Sequence, residues 1–199
     1  MSTVKLNTKL NLVIPVDQSD GVTIYVHSTP IGHEVFETYY KPIALAWTRI
    51  YAGGFTYASG PRVAKLILRE VSQSLGMWDG AQGVQAGLIA EINRISNVLL
   101  PNGKGWEQIA LEDAIRKKVF DPDDLSEVEN AICFFIVACA MHKKAELKGV
   151  LEAVANIWGA QFVSLNITEF KNSLVTLTET DNTGEKPQPT HKKASSIPT

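Results

Sequence analysis

From Val4 to Val16 the apolar side chains fall on alternate positions, Val4, Leu6, Leu10, Leu12, Ile14 and Val16, with Lys5, Asn7, Lys9 and Asn11 between them. A period of two belongs to a strand with one buried face. Asp17-Gln18-Ser19-Asp20-Gly21 is a turn cluster in which Gly21 can take positive φ. Val22, Ile24 and Val26 then resume the alternation, so residues 1–28 predict an N-terminal β-hairpin that belongs to the same domain as the helices after it. A hairpin is marginal by itself and needs a second layer or a neighbouring sheet edge.

After Thr29-Pro30 the period lengthens to that of a helix. Val35, Phe36, Tyr39, Tyr40, Ile43, Trp47, Ile50 and Tyr51 recur at helical spacing up to Gly53-Gly54, and Pro42 inside the pattern predicts a kink. Ser59-Gly60-Pro61 opens a second helix carrying Val63, Leu66, Ile67, Val71 and Leu75, stopped by Gly76. The stretch from Gly76 to Gly87 holds four glycines in twelve residues and predicts a late helix start or a close approach of another backbone. Asp79 is a cap candidate for a third helix through Leu88, Ile89, Ile92, Ile95 and on to Val98 and Leu99. Pro101 to Gly105 reads as an exposed loop, Trp106 and Ile109 as a return to the core, and Leu111 to Val119 as a short helix.

The chain is organised around the stretch from Asp121 to Gly159. Asp121 followed by Pro122 is a helix start, with Asp124 placed to complete a reciprocal capping box and Asp123, Glu127 and Glu129 suited to the helix N-terminus. Ala131 to Met141 carries no charge, so this helix must be covered on most sides; His142, Lys143 and Lys144 close it. A second amphipathic helix, Ala145 to Trp158, completes a helical hairpin, and a small helix near Ile167 to Leu174 comes after it, capped by Ser164 or Asn166. From residue 176 the composition turns to Thr, Asn, Lys, Pro and Ser, which cannot bury enough surface to offset ordering entropy. The expected organisation is therefore an α+β domain, mainly α: hairpin 1–28, helical domain 29–175 and a disordered tail 176–199.

Composition adds bounds rather than a function. Apolar content of 45% and charged content of 20% in 199 residues are those of one globular domain with a real core. A net charge of −2 gives no general attraction to nucleic acid or to an anionic membrane, and the eleven-residue uncharged run is shorter than the roughly 20 residues a membrane span needs. With no leader-like apolar block in residues 1–30, a cytoplasmic protein is expected. Cys133 and Cys139 lie on one helix about 240° apart and cannot pair there, so both read as small buried hydrophobes.

Candidate chemistry is sparse. The glycine-rich stretch lacks the spacing of a phosphate cradle. His27 and His33 flank the strand-to-helix corner, with Glu34 and Glu37 the only nearby acids, and match no ligand signature. No serine sits in a nucleophile elbow. No catalytic residue, cofactor or metal site is expected, and the chain is not read as an enzyme. The aromatic helix with Phe36, Tyr39, Tyr40, Trp47 and Tyr51 is core by default, yet tyrosine and tryptophan are also the residues of interface hot spots, which makes these five the candidate protein-binding residues.

Three features resemble the tail assembly chaperones of long-tailed bacteriophages: the opening VKLNTKLNLVIPVDQSDGVTIYVHS, the acidic-to-apolar stretch DPDDLSEVENAICFFIVACAMHKK, and the close TETDNTGEKPQPTHKKASSIPT. The resemblance is one of layout over most of the chain and carries no residue-by-residue role. It implies a non-catalytic assembly factor in the host cell cytoplasm, absent from the mature virion. Its partners would be the tape measure protein, whose apolar helices it shields, and the tail tube protein, with self-association open, and neither nucleic acid nor membrane among them. The alternative is a structural tail component retained in the virion, whose hairpin adds strands to a neighbour's sheet.

Overall fold

The computed structural model describes residues 10–142 and 159–174, together with Leu147, Gly149 and Ala155. The second helix expected over Ala145–Trp158 falls largely outside the described residues, as do the start of the first strand and the segment 176–199.

The alternating stretches form β1 (Asn11–Asp17) and β2 (Thr23–Ser28), paired antiparallel with Leu12 opposite Ser28 and Asp17 opposite Thr23. Gly21 takes φ +83° in the turn, where its N–H donates to Gln18 O at 2.9 Å and Thr23 Oγ1 donates to Asp17 Oδ1 at 2.6 Å. These strands are not an appended hairpin. They are the middle of a five-stranded antiparallel sheet, ordered β4-β3-β2-β1-β5, completed by β3 (Ser96–Pro101), β4 (Trp106–Ala110) and β5 (Gln161–Val163). The chain is therefore a mixture of helices and an antiparallel sheet, and the expectation of a helical domain with one hairpin is corrected.

The reason lies in residues 96–101. Val98 and Leu99 fit the helical spacing that begins at Leu88, but both are fully buried, on opposite faces of the sheet, as only a strand allows. The helix before them, α3, stops at Ile95; Ser96 is extended, and its hydroxyl donates back to Ile92 O at 2.7 Å. The expected loop 101–105 is the β3–β4 hairpin turn, closed by Asn102 N–H to Gly105 O at 3.0 Å.

The helices are α1 (His33–Ala52), α2 (Thr56–Ser74), α3 (Ala90–Ile95), α4 (Leu111–Arg116), α5 (Pro122–Met141) and α6 (Ile167–Ser173), with a π-helical turn at Gln85–Ile89 leading into α3. The main core lies between α1, α2, α5 and one sheet face, which contributes Leu12, Val16, Ile24, Val26 and Val98. α5 is the central helix: Ile132 to Ala138 are buried without interruption, as its uncharged sequence requires. α2 packs on both α1 and α5, and Asn130 of α5, buried, ties the pair by accepting Lys65 N–H at 2.9 Å and donating to Ser126 O at 2.8 Å. α4 ends at Arg116, short of the expected Val119, because Lys118 turns to φ 56°.

Asp121 is the N-cap of α5 and Pro122 its first residue, but the Asp121 side chain accepts no cap hydrogen bond, so the expected box with Asp124 does not form. Partial burial, then the charges of Asp121, Glu127 and Asp123, push the Asp124 carboxyl above the ordinary range; crowding of acids works against the box. The reciprocal box occurs instead on α6. There Asn166 Oδ1 accepts Glu169 N–H at 3.0 Å, and Glu169 Oε2 accepts Asn166 N–H at 2.9 Å.

The second sheet face is also covered. Val13 and Leu99 lie under Phe170 of α6, with Tyr25, Trp106, Val163, Ile167 and Leu174 packed around them. The polar alternation of the first strand therefore does not face solvent throughout: Asn11 is buried beneath the segment leading to α6.

Candidate functional site

The five candidate residues lie on α1, which is kinked as Pro42 predicts. The break is at Tyr39, with φ −113° and ψ 20°, three residues before the proline. The ring removes one N–H and crowds the carbonyl four residues back, so the preceding turn opens. The kink separates neighbouring tyrosines. Tyr39 turns inward, 7% exposed, and its hydroxyl donates to Gln82 O at 3.3 Å, whereas Tyr40 points outward at 50% exposed.

Phe36, Trp47 and Tyr51 are half-buried and pack against the main core. Trp47 meets the rings of Tyr51 at 4.5 Å, His142 at 4.7 Å and Phe134 at 5.9 Å between centroids, which ties α1 to the end of α5. The structure thus brings Trp47 and Tyr51 together, places Tyr39 in the core and leaves Tyr40 as the outward aromatic of the five. Leu45 of α1, 42% exposed, and Leu66 of α2, 59% exposed, were not singled out by sequence. Their signal was present but weak, since each occupies a position that the helical pattern alone assigns to the core or its rim.

The glycine-rich stretch is a packed loop beneath the kink. Its backbone donors are used internally: Gly83 N–H to Gly80 O at 3.0 Å, Val84 N–H to Met77 O at 2.7 Å, Gln85 N–H to Trp78 O at 3.1 Å and Gly87 N–H to Gly83 O at 2.9 Å. These donors are not left to cradle a phosphate. Gly87 marks a close approach of the kinked helix, because a Cβ at this position would stand 1.7 Å from the Tyr39 hydroxyl. Trp78 is buried in the core, with the Arg69 guanidinium 5.7 Å from the centre of its ring.

Polar groups converge at two other places. Between α2, α3, α4 and α5 a cleft of about 10 Å³, room for roughly one water, is lined by Lys65, Asn93, Leu111, Glu129 and Cys133. Lys65 and Glu129 form an ion pair there. Burial pushes the Cys133 thiol up to about 12, far outweighing the nearby Lys65 charge, so this sulfur is no thiolate nucleophile at neutral pH. Burial likewise holds Cys139 at about 12.

The other place is on β2. His27 is 1% exposed, its Nε2 lies 3.1 Å from Leu165 O, and Asn11 Nδ2 donates to the same carbonyl at 2.9 Å. Burial lowers the His27 pKa, only partly offset by its backbone hydrogen bonds, so the ring is the neutral tautomer donating from Nε2. His33 is exposed on α1, 3.2 Å from Glu37, so the two histidines do not share a site. Among the described residues no group of three or more His, Cys, Asp or Glu is placed to hold a metal ion, and no helix is long and apolar enough to cross a membrane.

No protein-family model, curated protein or solved structure matches this chain.

Proposed function

We propose that this chain is a non-catalytic assembly factor of the tail assembly chaperone type, which shields apolar helices of a long tape measure protein while tail tube subunits polymerise around it in the host cytoplasm. The observation that carries this reading is the outward apolar set on the helix layer: Tyr40 and Leu45 on kinked α1 and Leu66 on α2. Large apolar groups held out on a helical surface suit an amphipathic helix laid against them, with a tyrosine as anchor. Strand addition by the N-terminal hairpin, the basis of the retained structural component, has less room: β2 is paired with β3 over Tyr25–Ser28 and β1 with β5 over Asn11–Val13.

The test is a pull-down of co-expressed tape measure protein with the full chain and with Tyr40→Ala and Leu45→Ala. Both side chains stand outside the core, so the fold should be unchanged by circular dichroism while recovery of the client falls about tenfold for the double variant. Undiminished recovery by a folded double variant removes this surface from the reading.

A further inference from the structure

The second face of the sheet presents a set of groups that its present occupant uses only in part. Its floor is aromatic and aliphatic: Trp106 and Tyr25 meet edge to face at 5.3 Å between centroids, and Val13 and Leu99 are fully buried beside them. α6 lies on this floor through Ile167, Phe170 and Leu174, a spacing of three and then four that lines one side of a helix. Phe170 is the central anchor, 5.7 Å from the Tyr25 ring and 6.2 Å from the His27 ring.

Two features mark α6 as a partial fit. It is a seven-residue helix whose Thr168, Glu169, Asn172 and Ser173 are exposed. Beneath its entry, Asn11 and His27 spend one polar atom each on the same carbonyl, Leu165 O, while Asn11 Oδ1 and His27 Nδ1 are buried with no hydrogen-bond partner. These side chains are 3% and 1% exposed, so their free atoms represent unused recognition capacity inside the face.

We propose that this face is a docking groove for an amphipathic helix of a partner protein, and that α6 is a resident which such a helix replaces. The occupant's chemistry is read from α6 itself: apolar side chains at i, i+3 and i+7 with an aromatic ring at the centre, entered through a backbone carbonyl held by Asn11 and His27. A better-fitting helix would add a donor for Asn11 Oδ1. The groove lies across the sheet from α1, so the proposal stands or falls separately from the Tyr40 surface.

The experiment is an NMR titration of the full chain and of Phe170→Ala with a synthetic peptide copying residues 164–174. In the native chain α6 competes at the high effective concentration of a short tether, on the order of millimolar. Removing its anchor should let the peptide shift the resonances of Val13, Tyr25 and Leu99 at a concentration about tenfold lower than in the native chain. A peptide with alanine at the phenylalanine position should shift none of them. A folded Phe170→Ala chain that ignores the peptide overturns the proposal. So does failure of both Phe170→Ala and the milder Ile167→Ala to fold, since α6 would then be an integral part of the core.

Discussion

Individual contacts make the sharpest demands. Gly87→Ala puts a methyl group where the Tyr39 hydroxyl already stands, and the ring carbon behind it is 2.6 Å away, so the tyrosine must leave its place. Urea unfolding should show a loss of about 1–3 kcal/mol, the usual cost of overpacking, and Tyr39→Phe in the same chain should recover part of it by removing the nearest atom. Asn130→Ala strips Lys65 N–H of its acceptor inside the α2–α5 contact and should cost about 1–3 kcal/mol in the same measurement. His27 makes a pH prediction. Its folded pKa lies below the unfolded value of 6.5, so the unfolded chain binds the proton more tightly. The stability from neutral His27 is fully present above pH 6.5 and is lost as pH falls through the folded pKa. Unfolding at pH 8 and pH 5 should show that difference, reduced in His27→Gln, which keeps a donor for Leu165 O.

Elements were legible in proportion to how far local chemistry alone decides them. The β1–β2 turn, the Pro42 kink, the span of α5 and the Asn166 cap follow from glycine and proline backbone limits, an eleven-residue uncharged run and a polar cap before an apolar residue. β3 was not legible, because Val98-Leu99-Leu100 suits a helix extending from Leu88 as well as a strand buried on both faces, and only the pairing with Tyr25–Ser28 decides between them. β4 and β5 are five and three residues long and depend on the same non-local pairing. The candidate site divides in the same way. Periodicity placed Phe36, Tyr39, Tyr40, Trp47 and Tyr51 on one helix, but the kink that sends Tyr39 inward and Tyr40 outward sets their roles. The capping box on α6 gives an element-level prediction: Asn166→Ala should speed amide exchange across Ile167–Ser173, reflecting about 1 kcal/mol of lost helix stability, with β2 and β3 unaffected.

At the scale of the molecule, one antiparallel sheet divides a large helical core from a small aromatic one. Neither face of the central strands is free, so surfaces available to a partner are the outer side of the helix layer, the sheet edges and the groove that α6 fills. The second core was hidden in the sequence because Tyr25, His27 and Trp106 belong to strands whose inward and outward sides cannot be assigned before α6 is placed across them. The central claim is that the protein acts during tail assembly and departs. It is tested most directly by mass spectrometry of purified phage particles beside a pull-down from infected cells with the full chain as bait. The account predicts that the protein is missing from the particles and that the bait recovers a very long, helix-rich tape measure protein. A fixed copy number in the finished particle would contradict it.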